Sequence, residues 1–179
     1  MTTYQLTAPQ GGSIDKIYGF DERNGYGGQT DGCKIESGGI CEKTVDQDVP
    51  GRRGGYIAVS NNNDATCIAW ITVKQDDETK GGIWTGDIGY GCGQAWYNSV
   101  EPAGQLEEKD WYEADGKTQK EYVPKCTWID ADHTNDIANA ALKFDVGAYQ
   151  SEAVEDTFGR DAQCSATIYG SDSGPIAGK

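Results

Sequence analysis

The chain has 179 residues, with 15 Lys and Arg against 29 Asp and Glu, a formal net charge of −14 and one histidine. A field of that sign repels phosphate backbones and anionic membrane surfaces, which argues against nucleic-acid binding and membrane insertion. Mean hydropathy is −0.67, yet 10% of residues are aromatic and 25 are glycine, which fits one folded all-β domain of short strands and tight turns better than a helical bundle or a disordered chain.

In chain order, Tyr4 and Leu6 begin a first strand, Pro9–Gly12 turns, and Ile14–Phe20 forms a second strand. Asn24–Gly32 (NGYGGQTDG) reads as a glycine-rich loop with two turn dipeptides. Cys33 to Cys41 encloses a tight hairpin, and after the turn at Pro50–Gly54 a strand spans Tyr56–Ser60, followed by a turn at Asn61–Asp64. From Cys67 the run CIAWITV is apolar and β-favouring throughout, as in a strand buried on both faces.

A charged turn (Asp76–Lys80) and Gly81-Gly82 lead into IWTGDIGYGCGQAWYNS. Its alternation of glycine with aromatics predicts a twisted hairpin or binding loop rather than a helix. Residues 101–121, with Trp111 and Tyr112, read as a long acidic surface excursion or an edge hairpin around Asp115-Gly116. Tyr122–Ile129 is a strand that Pro124 places at an edge or bulge. The acidic loop Asp130–Asp136 follows, and Thr134 or Asn135 caps the best helical segment, running to Ala141. Leu142–Val146 is a strand, Ser151–Thr157 has room for one helical turn, Ser165–Tyr169 is a last strand, and 170–179 reads as a flexible tail. The expected architecture is a single antiparallel sandwich or β-prism over residues 1–169 with at most one short helix.

Six cysteines (Cys33, Cys41, Cys67, Cys92, Cys126, Cys164) include no CxxC pair, which favours three disulfides in a secreted protein over a zinc cluster. Connectivity is open from sequence; pairing of neighbours, Cys33–Cys41, Cys67–Cys92 and Cys126–Cys164, is the preferred arrangement. The first residues have neither a basic start nor an apolar core, so the chain reads as a mature form behind an initiator Met. No N-x-S/T sequon is present.

No catalytic signature accompanies these features. His133 is crowded by Asp130, Asp132 and Asp136, which favours the cation and makes a poor general base; there is no G-x-S-x-G elbow. The carboxylates best placed for glycoside hydrolysis are Asp87, between glycine and aromatics, and Asp130, behind Trp128. Asp130, Asp132, Asn135 and Asp136 have the close oxygen spacing of a calcium loop, without the EF-hand Gly and Glu at their positions. The aromatics Trp84, Tyr90, Trp96, Tyr97, Trp111 and Trp128 exceed what a small core holds. With Asp87 they form a candidate set for sugar binding, in which rings stack on Trp and Tyr while polar groups hydrogen-bond the hydroxyls.

RGGYI (Arg53–Ile57), CIAWITV (Cys67–Val73), TGDIGYGCG (Thr85–Gly93) with Trp96-Tyr97, and KCTWIDAD (Lys125–Asp132) occur in an order that resembles uncharacterised small secreted cysteine-containing proteins of filamentous fungi. The resemblance covers residues 53–132. It departs after the central strand, where Lys74-Gln75-Asp76 stands in place of Trp-Pro-Asp. It implies a fungal, extracellular, disulfide-bonded protein and supplies no active site. GGSIDKIYG (Gly11–Gly19) is also similar to the opening of jacalin-type β-prism lectins. The expectation is therefore a non-enzymatic, lectin-like protein recognising carbohydrate or a cell or host surface. The alternatives are a polysaccharide hydrolase or lyase and an effector or toxin that binds protein. No cofactor is expected beyond calcium, and oligomeric state is open.

Overall fold

The computed structural model describes residues 2–49, 52–75, 81–105, 121–150 and 153–176. In chain order the elements are β1 (Thr2–Ala8), β2 (Gly12–Asp21), β3 (Tyr26–Asp31), β4 (Lys34–Ile35), β5 (Gly39–Val45), β6 (Gly54–Asn61), β7 (Thr66–Ile68), β8 (Trp70–Gln75), β9 (Ile83–Thr85), α1 (Gly86–Gly91), β10 (Trp96–Tyr97), β11 (Gly104–Gln105), β12 (Glu121–Tyr122), β13 (Cys126–Ile129), β14 (Ala141–Asp145), α2 (Val154–Gly159) and β15 (Thr167–Gly170). Short 3-10 turns lie at Thr134–Asp136 and Gly147–Tyr149.

The domain is all-β and antiparallel. One sheet runs β5-β1-β8-β9; the larger runs β15-β14-β6-β2-β3, with β4 paired to the start of β2. Their inner faces enclose one core: Leu6, Ile71, Val73 and Trp84 from the first, Ile17, Ile57, Val59, Leu142 and Phe144 from the second. Period-two alternation produces these faces, because successive side chains of a strand point to opposite sides. A small sheet, β10-β13-β7, closes one end, and β11 pairs with β12.

The run from Cys67 serves two sheets. Thr66–Ile68 pairs with β13, and Trp70–Gln75 pairs with β1 and β9. Between them the N–H of Ala69 donates to the Thr7 carbonyl at 3.0 Å, and its carbonyl accepts from Gly86 N–H at 2.9 Å. Residues 66–68 are buried on both faces, whereas β8 alternates, with Ile71 and Val73 buried and Trp70 and Thr72 half-buried.

Several expectations are corrected. Asn24-Gly25 is the turn, but Tyr26–Asp31 continues as β3 and adds an edge to the large sheet. Pro124 precedes β13, which is central in its sheet rather than an edge. The segment 134–141 is a single 3-10 turn followed by strand, because His133, Asn135 and Asp136 all take left-handed backbone conformations that an α-helix does not accept. Among the described residues there are two short α-helices rather than at most one, α2 extending past the single turn expected near 151–157. The charged turn 76–80 and most of the acidic excursion, with Trp111 and Tyr112, lie outside the described residues.

The disulfides are Cys33–Cys41, as expected, and Cys67–Cys126 and Cys92–Cys164, which replace the other two expected pairs. Antiparallel pairing of β7 with β13 brings the Cα atoms of Cys67 and Cys126 to 5.2 Å. Cys92, at the end of α1, stands 5.5 Å from Cys164, which follows α2. Chain proximity misleads here because strand register, not loop length, sets which thiols meet.

Candidate functional site

The glycine-rich string after Trp84 is a helix because its glycines face the sheet. A Cβ on Gly86 would lie 2.1 Å from the Lys125 carbonyl oxygen, and one on Gly89 would lie 2.1 Å from Thr127 Oγ1. Thr127 Oγ1 donates to the Gly86 carbonyl at 2.9 Å. With glycine at i and i+3, α1 settles directly on β13 and sends Ile88 into the core, leaving Tyr90 exposed. Gly93, at φ 79°, ends the helix: its N–H bonds the Tyr90 carbonyl and the Gln94 N–H bonds that of Gly89, as in a Schellman stop. The chain then returns as β10, with Trp96 opposite Thr127 and Tyr97 opposite Cys126.

Helix and strand thus bring Tyr90 and Trp96 together as an aromatic ledge, with Tyr97 next along β10 and turned by strand alternation to the other face. Tyr90, Trp96 and Tyr97 are 45%, 42% and 53% exposed. The Tyr90 and Trp96 rings meet edge to face with centroids 4.7 Å apart. The Lys125 Nζ lies 4.6 Å from the Tyr90 centroid and 5.6 Å from that of Trp96. Cation–π attraction and ring–ring contact hold the two aromatics in place without burying them. Lys125 carried no sequence signal of its own; only its pairing distance to residues on α1 and β10 reveals it.

The other members of the sequence set are used differently. Trp84 is fully buried, stacks on Phe144 at 6.3 Å and donates Nε1–H to Thr167 Oγ1 at 3.2 Å. Trp128 is half-buried and packs with Trp70 on the Cys67–Cys126 bridge. Asp87 accepts the Lys125 backbone N–H at 2.9 Å through Oδ1 and the Tyr122 hydroxyl through Oδ2. Burial, then the Asp87 carboxylate, pushes the Tyr122 phenol up to about 12. Beside this pair lies an apolar cleft of about 370 Å³ lined by Ile83, Ile88, Tyr122, Tyr149, Val154 and Phe158.

The acidic loop is organised around its own backbone. Asp130 is fully buried; Oδ2 accepts the Thr134 N–H at 3.0 Å and the Thr134 hydroxyl, and Oδ1 accepts the Asp132 N–H at 3.4 Å. Burial alone would raise its pKa, but the hydrogen bonds from Thr134 and Asp132 outweigh it and hold the carboxyl below its ordinary value. A side-chain hydrogen bond with Asp130 pushes the Asp132 carboxyl up. His133 is exposed and donates Nδ1–H to the Ile137 carbonyl at 2.9 Å, so its ring serves the turn. Among the described residues, no three His, Cys, Asp or Glu side chains are grouped to hold a metal ion. No helix among the described residues is long and apolar enough to cross a membrane.

Comparison with protein families, with characterised proteins and with solved structures finds no match for this chain.

Proposed function

We propose that the protein is an extracellular, non-enzymatic binding module that recognises carbohydrate on the ledge of Tyr90 and Trp96. The observation that carries this reading is that the Tyr90 and Trp96 rings of two adjoining elements stand about half-exposed in contact with each other on a disulfide-braced scaffold. Sugar rings offer apolar C–H faces that stack on such surfaces, while neighbouring polar groups take the hydroxyls. Three disulfides suit an oxidising, extracellular setting. The resemblance over 53–132 adds a fungal source to the proposal.

The carboxylate pair considered for hydrolysis gains nothing from the geometry, since Asp87 is held by Tyr122 and Lys125, and Asp130 by Thr134 and Asp132. The test is a glycan array read alongside a reducing-end assay. Binding without turnover, lost in Trp96→Ala, supports the module. Turnover abolished by Asp87→Asn would replace it with a hydrolase, and silence in both assays would favour a protein-binding effector.

A further inference from the structure

The outer face of the large sheet, turned away from the shared core, carries a lysine with no solvent exposure, Lys143. Leu142 and Phe144 point into the core, so strand alternation sends the residue between them outward. There its Nζ stands 3.5 Å from the centroid of Phe20 and 5.5 Å from that of Tyr56. The end of the chain lies across it: the Ile176 carbonyl accepts from Nζ at 2.9 Å, and the Ser173 carbonyl accepts from the Tyr18 hydroxyl at 3.3 Å. Nζ also donates to Oδ1 of Asn24 in the β2–β3 turn, 119 positions away.

An amine buried beside aromatic rings is thereby held in contact with a half-buried carboxamide. Burial pushes the Lys143 ammonium down to about 8, which makes the neutral, nucleophilic amine accessible at mildly alkaline pH. Fixing the two groups together removes the entropic part of the barrier to amide exchange.

We propose that Lys143 and Asn24 become joined by an intramolecular isopeptide bond. The neutral Nζ attacks Cγ of Asn24, the new C–N bond forms as the Cγ–Nδ2 bond breaks, and the proton of the attacking amine moves to the leaving nitrogen, which departs as ammonia. No electrons are exchanged with any other species. The bond ties β14 to the β2–β3 turn beneath the chain's last described residues. Among the described residues no carboxylate hydrogen-bonds the Asn24 side chain. With none of the described carboxylates on Asn24 to assist the departure of ammonia, the bond accumulates slowly after folding. It accumulates faster at about pH 9 than at about pH 6, following the neutral fraction of the amine.

Intact-mass measurement of the denatured, reduced protein tests this on the wild-type chain. The expected result is a loss of one ammonia that grows during incubation at alkaline pH. It should be accompanied by a branched tryptic peptide joining the segment that starts at Asn24 to one uncleaved after Lys143. Lys143→Arg and Asn24→Ala should each abolish the loss. An unchanged mass after prolonged incubation, with trypsin cutting after Lys143, overturns the proposal; so does a mass gain that marks deamidation of Asn24 to Asp.

Discussion

The ledge, formed by α1 and the β10 edge of the small sheet, and the loop Asp130–Asp136, which follows its central strand β13, were both candidate sites in sequence. They behave oppositely. In the ledge, the backbone is satisfied internally by helix, Schellman stop and strand pairing, so Tyr90, Trp96 and Tyr97 are left facing solvent. In the loop, the polar side chains satisfy the backbone: Asp130 is consumed by Thr134 and Asp132, and His133 by Ile137. A cluster of chemically able residues is available for a ligand only where the main chain does not need them.

Mutations at the two regions and beneath them should separate stability from binding. The largest loss of stability is expected for Trp84→Ala, about 3–5 kcal/mol for truncating a buried aromatic, measured by urea denaturation; ligand affinity of the folded fraction should be unchanged. Asp130→Ala should cost about 1–2 kcal/mol, as loss of a capping carboxylate does, and leave binding intact; if binding fell instead, the contrast between loop and ledge would collapse.

Alkaline titration should expose the buried phenols. Burial pushes Tyr149 up to about 12, as it does Tyr122. An unfolded tyrosine releases its proton near about 10, so above that pH the unfolded state binds fewer protons and is favoured. The stability these phenols contribute is complete below about pH 10 and is lost as pH rises to about 12. Tyr149→Phe should flatten that decline in a pH series of denaturation midpoints. The smallest change in stability, within about 1 kcal/mol for losing one exposed ring–ring contact, is expected for Trp96→Ala.

Much of the scaffold was legible. The strands at Ile14–Phe20 and Leu142–Val146, the β-favouring run from Cys67 and the close Cys33–Cys41 pair each reflect local residue type, and each appears. The run from Cys67 is, however, divided at Ala69 into β7 and β8, and only its first part is buried throughout. What depends on register was not legible: Cys67 meets Cys126, and Cys92 meets Cys164, because of which strands and helices lie side by side. The helix at Gly86–Gly91 escaped because glycine lowers helix propensity, whereas here Gly86 and Gly89 are required by the close approach to Lys125 and Thr127. The aromatic set was correct in composition and mixed in use. Trp84 and Trp96 belong to one stretch, and only packing decides that the first is core and the second surface.

The most direct test titrates one glycan hit from the array against wild type, Trp96→Ala and Asp130→Asn, following affinity by calorimetry and fold by circular dichroism. The account predicts that Trp96→Ala weakens binding at least about tenfold, roughly 1.4 kcal/mol, with its fold retained, while Asp130→Asn binds as wild type does. Equal affinity in wild type and Trp96→Ala, or loss confined to Asp130→Asn, would contradict the assignment of the ledge.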